Sequence, residues 1–190
     1  MTRLPGRTCH RGADLEWTES PLEVVEFGLL AAEQRADLEG DEVDPFGGEG
    51  SSLHYRAKDR HLALRDGGGR LVASAGMLIL DVEVAGDRFS VVGLGGVIVA
   101  AAVRGRGLAR RTVEEALARA QTMGPRFVIL FCHADRSGLY RRLGFTELAA
   151  PVSVQQPEGF VEIPQRTMWR ALRPGAAWPR GPVVVHSLPF

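Results

Sequence analysis

The sequence predicts an α+β domain, a mixed, mostly antiparallel sheet flanked by helices. Three observations carry this. First, three strand-like runs follow one another across short glycine turns, at Asp66-Gly67-Gly68-Gly69 and Ala85-Gly86-Asp87-Arg88, and turns that short join antiparallel neighbours. Second, Ala109, Val113, Ala116, Leu117 and Ala120 form one apolar face of a helix running from Gly107 to about Thr122. Third, Phe127-Val128-Ile129-Leu130-Phe131 reads as a buried strand. Reached through a strand–helix–strand connection, it is expected to run parallel to the strand before the helix. The 190 residues suit a single domain over 1–190, with a core at about 13–172 and a Pro/Gly-rich tail at 173–190.

Taken in order, residues 13–18 alternate weakly and predict a first strand. Ser20-Pro21-Leu22-Glu23 reads as a helix start, with Ser as N-cap, Pro at the first helical position and Glu closing a capping box. Leu22, Val25, Leu29, Ala32 and Ala36 continue at helical spacing as far as Gly40. Residues 40–52 form an acidic, glycine-rich loop, either a substrate-side lid or a solvated connector. The three strand runs are His61–Arg65, Arg70–Leu80 and Phe89–Val99. Gly93, Gly95 and Gly96 inside the third predict a bulge or a close approach to the backbone by a ligand. Asp135 or Ser137 is expected to cap a short helix carrying Leu139, Tyr140 and Leu143 and ended by Gly144. Phe145–Val154, interrupted at Pro151, and Arg166–Leu172 read as further strands. Val183–His186 reads as a short edge strand before an apolar end at Leu188-Pro189-Phe190.

The formal net charge is zero, which gives no whole-molecule field toward nucleic acid or a membrane surface. No run is long and apolar enough to predict a transmembrane helix, and Met1–Gly12 lacks the apolar core of a signal peptide. Cys9 and Cys132 make neither a zinc spacing nor a disulfide framework, so a reducing cytoplasm is the expected compartment. Cys132, His133 and Asp135 have the wrong spacing for a zinc site, and no metal is expected.

The most informative stretch is Val97 to Ala109, where a strand-like run enters a loop with two arginines and two glycines and opens into the helix. Strand, glycine loop and helix N-terminus together make a phosphate cradle, because backbone N–H groups converge and the helix end carries partial positive charge. Arg104-x-x-Gly107-x-Ala109 matches the acyl-CoA pyrophosphate signature (Gln/Arg)-x-x-Gly-x-(Gly/Ala). Leu139-Tyr140-Arg141-Arg142-Leu143-Gly144-Phe145, one helix and one strand later, matches a second signature, a Tyr in a short helix followed by Gly-Phe. Over residues 60–150 the chain thus resembles the GCN5-related N-acetyltransferase (GNAT) family, and the resemblance implies that family's acyl-CoA N-acyltransferase fold.

The resemblance further implies acetyl-CoA as co-substrate, lying in a wedge between the strands at Val97–Val99 and Phe127–Phe131. Unpaired backbone groups of Ile98 and Val99 would bond the pantetheine. The N–H groups of Arg104, Gly105, Arg106, Gly107, Leu108 and Ala109 would cradle the pyrophosphate, the arginines adding charge and Gly107 leaving room. His133 would stand near the cofactor. Tyr140 would give a proton to the departing CoA thiolate, which a phenol of pKa ~10 can do within hydrogen-bond reach. Many relatives carry a carboxylate base on the strand before the loop, but here the stretch is Val92-Gly93-Leu94-Gly95-Gly96. Water relayed through the backbone, Asp81, Glu83, His133 or a C-terminal carboxylate of Phe190 are the alternatives. Cys132 is either an acyl-carrying nucleophile or a small buried residue. The implied activity is acetyl transfer to an amine of a small molecule. A protein or peptide acceptor, or a CoA-binding domain without turnover, would keep the same fold. The run Val183–Phe190 could also pair across a homodimer.

Overall fold

The computed structural model describes residues 21–46 and 51–190, so the strand expected at 13–18 and the capping Ser20 lie outside the described residues. The elements are β1 (Glu23–Phe27), α1 (Ala32–Glu39), β2 (Arg60–Arg65), β3 (Leu71–Val84), β4 (Asp87–Val99), α2 (Leu108–Ala120), β5 (Phe127–Cys132), α3 (Ser137–Arg142), β6 (Thr146–Glu147), β7 (Val152–Gln156), β8 (Gly159–Glu162), β9 (Arg166–Ala171) and β10 (Val183–Val185). Among the described residues the ten strands form one sheet with the path β6-β9-β5-β4-β3-β10-β7-β8, and β1 and β2 branch from β3. The β4–β5 pair is parallel, as the strand–helix–strand connection requires, and β2, β3 and β4 form the expected antiparallel meander. The expected α+β architecture is therefore present. No helix among the described residues is long and apolar enough to cross a membrane.

The long central strands divide two cores. Ala75, Met77, Val92 and Leu94 meet Val113, Ala116 and Leu117 of α2, together with Tyr140 and Phe145. The opposite layer gathers Leu78, Leu80, Val91, Phe127, Ile129, Val183, Val185 and Phe190. There Phe127 meets Trp178 edge-on at 5.2 Å and Trp169 at 5.8 Å, so both tryptophans are packing aromatics.

Three local expectations are corrected. The helix expected from Leu22 to Gly40 is strand β1 followed by a shorter helix. Val24, Val25 and Phe27 pair with β2 in the register Glu23↔Arg65 to Phe27↔His61, and Arg65 reaches Glu23 at 2.8 Å. Cross-strand pairing overrides the local helix signal of Pro21 and Glu23. The second half of the expected helix, with Ala32 and Ala36, and its end at Gly40 (φ +57°) stand, and the N-terminal bond of α1 comes from the Ala31 N–H to Gln34 Oε1 at 2.8 Å. The run Phe145–Val154 is two strands, and β8, unmarked by any apolar alternation, follows as an exposed hairpin partner of β7. The segment Val183–Val185 is not an edge. It lies between β3 (antiparallel) and β7 (parallel), with Val183 and Val185 buried, so it is spent inside its own sheet and does not offer an edge for pairing across a dimer.

Candidate active site

The site begins where β4 parts from β5. Parallel pairing holds at Val92↔Val128 and Gly93↔Ile129 and goes no further, although β4 runs on to Val99 and β5 to Cys132. On its other edge β4 stays paired with β3 through Gly95↔Gly76, Ile98↔Ser74 and Val99↔Ala73, with a bulge that sets Gly96 and Val97 opposite Ala75. Gly96 sits at φ +59°, a conformation that favours glycine. Beyond the bulge, the β5-facing edge of β4 has no strand partner among the described residues.

Which residues present that edge follows from the alternation of the ladder. The Ala100 N–H bonds the Val72 carbonyl at 2.9 Å, so Ile98, two residues earlier, also turns its backbone toward β3. Val97 and Val99 therefore face the wedge, and Arg104 Nε already donates to the Val99 carbonyl at 2.9 Å. This corrects the expectation for Ile98. Its backbone is not the open one, and its side chain is buried with Leu38, Ala63 and Leu71.

After a 3-10 turn at Ala101–Val103, Gly105 (φ +78°) and Gly107 (φ +77°) turn the chain into α2. Gly107 is the N-cap and no side chain caps the helix, so its first-turn N–H groups are open to a ligand. A Cβ added at either glycine would meet none of the described residues within 4 Å, so the conformation, and not crowding by them, demands glycine. Leu108 anchors the helix start against Leu64, Val72, Ala73 and Val103, and Ala109 is half-buried beside it. The Arg104 guanidinium is held by Glu42 at 2.6 Å, which raises the arginine further and lowers the carboxyl. The acidic loop thus binds the basic one, and the Arg104 side chain is already engaged. Arg106 is exposed.

At the other end of the wedge lies a cleft of about 700 Å³ that includes Gly95, Gly96, Phe131, His133 and Tyr140. Helix α3 carries Tyr140, whose ring meets Phe145 edge-on at 5.8 Å; the Phe145 N–H closes back on the Tyr140 carbonyl at 3.0 Å. Burial, with a smaller contribution from Cys132, pushes the phenol up to about 12. The group is a held proton donor at neutral pH. The expected cap of this helix is different, because Ser137 Oγ donates back to the Ala134 carbonyl at 2.7 Å and the N-cap is Arg136. His133 is exposed on the cleft wall at the start of the preceding 3-10 turn.

Cys132 is buried and its thiol is pushed up to about 11, chiefly by desolvation. It donates to Met168 Sδ at 3.8 Å, the behaviour of a packed thiol and not of an activated nucleophile. Of the alternative bases, Asp81 is held by Ser90 Oγ at 2.8 Å and by Arg88, and hydrogen bonding keeps its carboxyl below the ordinary range. Glu83 pairs with His186 at 3.2 Å on the same far half of β3. Neither lines the cleft, whereas His133 and Phe190 do.

The strand glycines have an internal explanation. A Cβ on Gly93 would stand 2.6 Å from Phe190 Cζ, and one on Gly95 would stand 3.0 Å from the Phe190 carbonyl oxygen. The close approach expected from a ligand is made at these two positions by the folded-back Phe190, which also packs on Phe131 with ring centres 5.0 Å apart. Sequence reasoning missed Tyr55, Lys58 and Gln165 on the same wall, because they sit in stretches with no periodicity or motif. Gln156 pins the first stretch by bonding the His54 N–H (2.8 Å) and carbonyl (3.1 Å), and the Arg56 N–H bonds the Pro189 carbonyl at 2.7 Å.

A splayed parallel pair, an uncapped helix N-terminus after a glycine loop, and a cleft at the other end are the architecture of an acyl-CoA acyltransferase fold. Solved structures agree with it. The GNAT N-acetyltransferase YhbS from Escherichia coli, in complex with CoA, is similar over 89% of this chain and 93% of its own at 21% identity, with a TM-score of 0.55. A GNAT phosphinothricin acetyltransferase from Sinorhizobium meliloti, in complex with AcCoA, is similar over 82% and 92% at 17% identity and 0.52. Escherichia coli ElaA is similar over 78% and 99% at 19% identity and 0.52. No curated protein matches the sequence. The acetyltransferase (GNAT) domain model matches residues 45–148, which hold both signatures and every element from β2 to β6. The chain belongs to the GNAT acetyltransferase family.

Proposed function

We propose that the protein transfers an acetyl group from acetyl-CoA to an amine of a small molecule, by direct attack within a ternary complex. The observation that carries this reading is the splay of β4 from β5, with the uncapped start of α2 at one end and Tyr140 at the other. The N–H groups from Gly105 to Ala109 hold the pyrophosphate, that of Arg104 being given to the Ala101 carbonyl at 3.3 Å, and the wedge-facing backbone of Val97 with the N–H of Val99 supplies the missing strand partner to the pantetheine amides. Acetyl-CoA brings the activated acyl group; the chain orients it. An incoming amine that has lost one proton to water in the open cleft attacks the acetyl carbonyl, forming the C–N bond. The adduct gives its second N–H proton to water, its C–S bond breaks, and Tyr140 protonates the departing thiolate and is reprotonated by solvent. Cys132 takes no part, since burial keeps its thiol protonated.

The reading is tested by mixing the protein with acetyl-CoA and a panel of primary amines, following thiol release and identifying the acetylated amine by mass. Intersecting initial-rate lines are the expected result, because both substrates must be bound before transfer. Parallel lines, or bound acetyl-CoA with no thiol release on any amine, would overturn it.

A further inference from the structure

We propose that Lys58 is an anion site on the acceptor side of the cleft, so that the amine acetylated here also carries a carboxylate or phosphate-type group. The inference rests on the acetyl-transfer reading above and names the class of its acceptor. The Asp59 N–H bonds the Met77 carbonyl at 3.1 Å and fixes the backbone beside Lys58. From there the side chain crosses the sheet over two glycines. A Cβ on Gly76 would stand 2.5 Å from Lys58 Cγ, and one on Gly96 would stand 3.4 Å from Nζ. Glycine at both positions makes the channel in which the lysine lies, and its ammonium ends at the bulge where β4 leaves β5.

Lys58 is mostly withdrawn from water, and that desolvation lowers its pKa. Its ammonium makes no hydrogen bond or ion pair among the described residues. The neighbouring titratable group, His61, is itself disfavoured as a cation by burial and by Lys58 and Arg35 nearby, and its Nδ1 is buried without a partner among the described residues. Of the negative groups lining the cleft, Asp135 is already paired with Arg136 at 3.1 Å, and neither Asp44 nor the Phe190 end makes an ion pair with Lys58. A desolvated cation without a counter-charge is costly, and a bound anion removes the cost. A second unsatisfied group lines the same cleft. Gln165 Nε2 donates to the Tyr55 hydroxyl at 3.2 Å, while its Oε1 is buried with no donor among the described residues. One wall thus offers a positive charge seeking an anion and a carbonyl oxygen seeking an N–H. An amino acid or an aminoalkyl phosphate satisfies both; a plain alkylamine satisfies only the second.

The test compares acceptors matched in length: ω-amino carboxylates, aminoalkyl phosphonates and simple alkylamines, with the wild type, Lys58→Met and Lys58→Arg. The expected wild-type kcat/KM is about tenfold or more higher for an anionic acceptor than for its neutral match, the size of one charge-assisted hydrogen bond. Lys58→Met removes the preference and Lys58→Arg, which keeps the charge, retains it. The carboxylate and phosphonate arms show which anion the site takes. A second readout needs no turnover: calorimetric binding of N-acetylated amino carboxylates and phosphonates, weakened about tenfold by Lys58→Met. Equal rates on charged and neutral amines, or a preference that survives Lys58→Met, would overturn the proposal while leaving acetyl transfer intact. Anions bound through Lys58 with no amine ever acetylated would leave the anion site standing and remove the transferase reading.

Discussion

Replacing Tyr140 by phenylalanine is expected to lower kcat by about a hundredfold or more while the acetyl-CoA KM stays within about threefold. The substitution keeps the ring that packs on Phe145 and removes only the hydroxyl at the cleft. Folding is therefore preserved, and the loss falls on the step in which the thiolate departs. The pH dependence gives a second handle. Burial raises the phenol, so its protonated, competent form persists through the neutral range and is lost only as pH climbs toward the raised value of about 12. Wild-type kcat should therefore show no falling limb below about pH 10, the ordinary phenol value. Steady-state kinetics across pH, on wild type and variant, check both points. An unchanged kcat in Tyr140→Phe would remove the residue from the chemistry.

Gly107→Val is expected to weaken acetyl-CoA binding by about thirtyfold or more, and to cost about 1–3 kcal/mol of stability, because a β-branched residue is strained where φ is +77°. Relieving that strain turns the first N–H groups of α2 away from their common focus. Asparagine tolerates the left-handed region better than valine, so Gly107→Asn should lose less. The expected order of affinity by calorimetry is glycine, then asparagine, then valine. A valine variant that folds and binds acetyl-CoA as tightly as the wild type would contradict the loop's role. No described residue comes within 4 Å of a Cβ at Gly107, so lost affinity cannot be assigned to a clash with one of them.

The loop and helix start that we propose for the donor were legible in the sequence because their devices are local. Two glycines at positive φ, an amphipathic helix behind them and a buried strand after it leave marks in one stretch, from Val97 to Phe131. The α+β class and the β2–β3–β4 meander were legible for the same reason, since short glycine turns fix antiparallel neighbours. The acceptor half depends on distant contacts. Lys58 meets Gly76 and Gly96, Gln156 holds His54, and Phe190 covers Gly93 and Gly95, and no periodicity announces any of them. The strand glycines did signal a close approach, but its source was a remote part of the same chain. The misread helix at Leu22 has a similar cause: a plausible local start was outcompeted by pairing with Arg60–Arg65, far along the chain. The backbone of Ile98 was misassigned because its direction depends on the bulge at Gly96, and a bulge shifts which residues face each neighbour.

The central claim is that the wedge between β4 and β5 seats acetyl-CoA with its pyrophosphate on the start of α2 and its sulfur at Tyr140. A crystal structure of the protein with acetyl-CoA tests it most directly. The predicted result has pyrophosphate oxygens on the N–H groups between Gly105 and Ala109, pantetheine amides bonded along Val97 and Val99, and the Tyr140 hydroxyl within hydrogen-bond reach of the sulfur. Acetyl-CoA bound elsewhere, or a thioester held away from Tyr140, would contradict it.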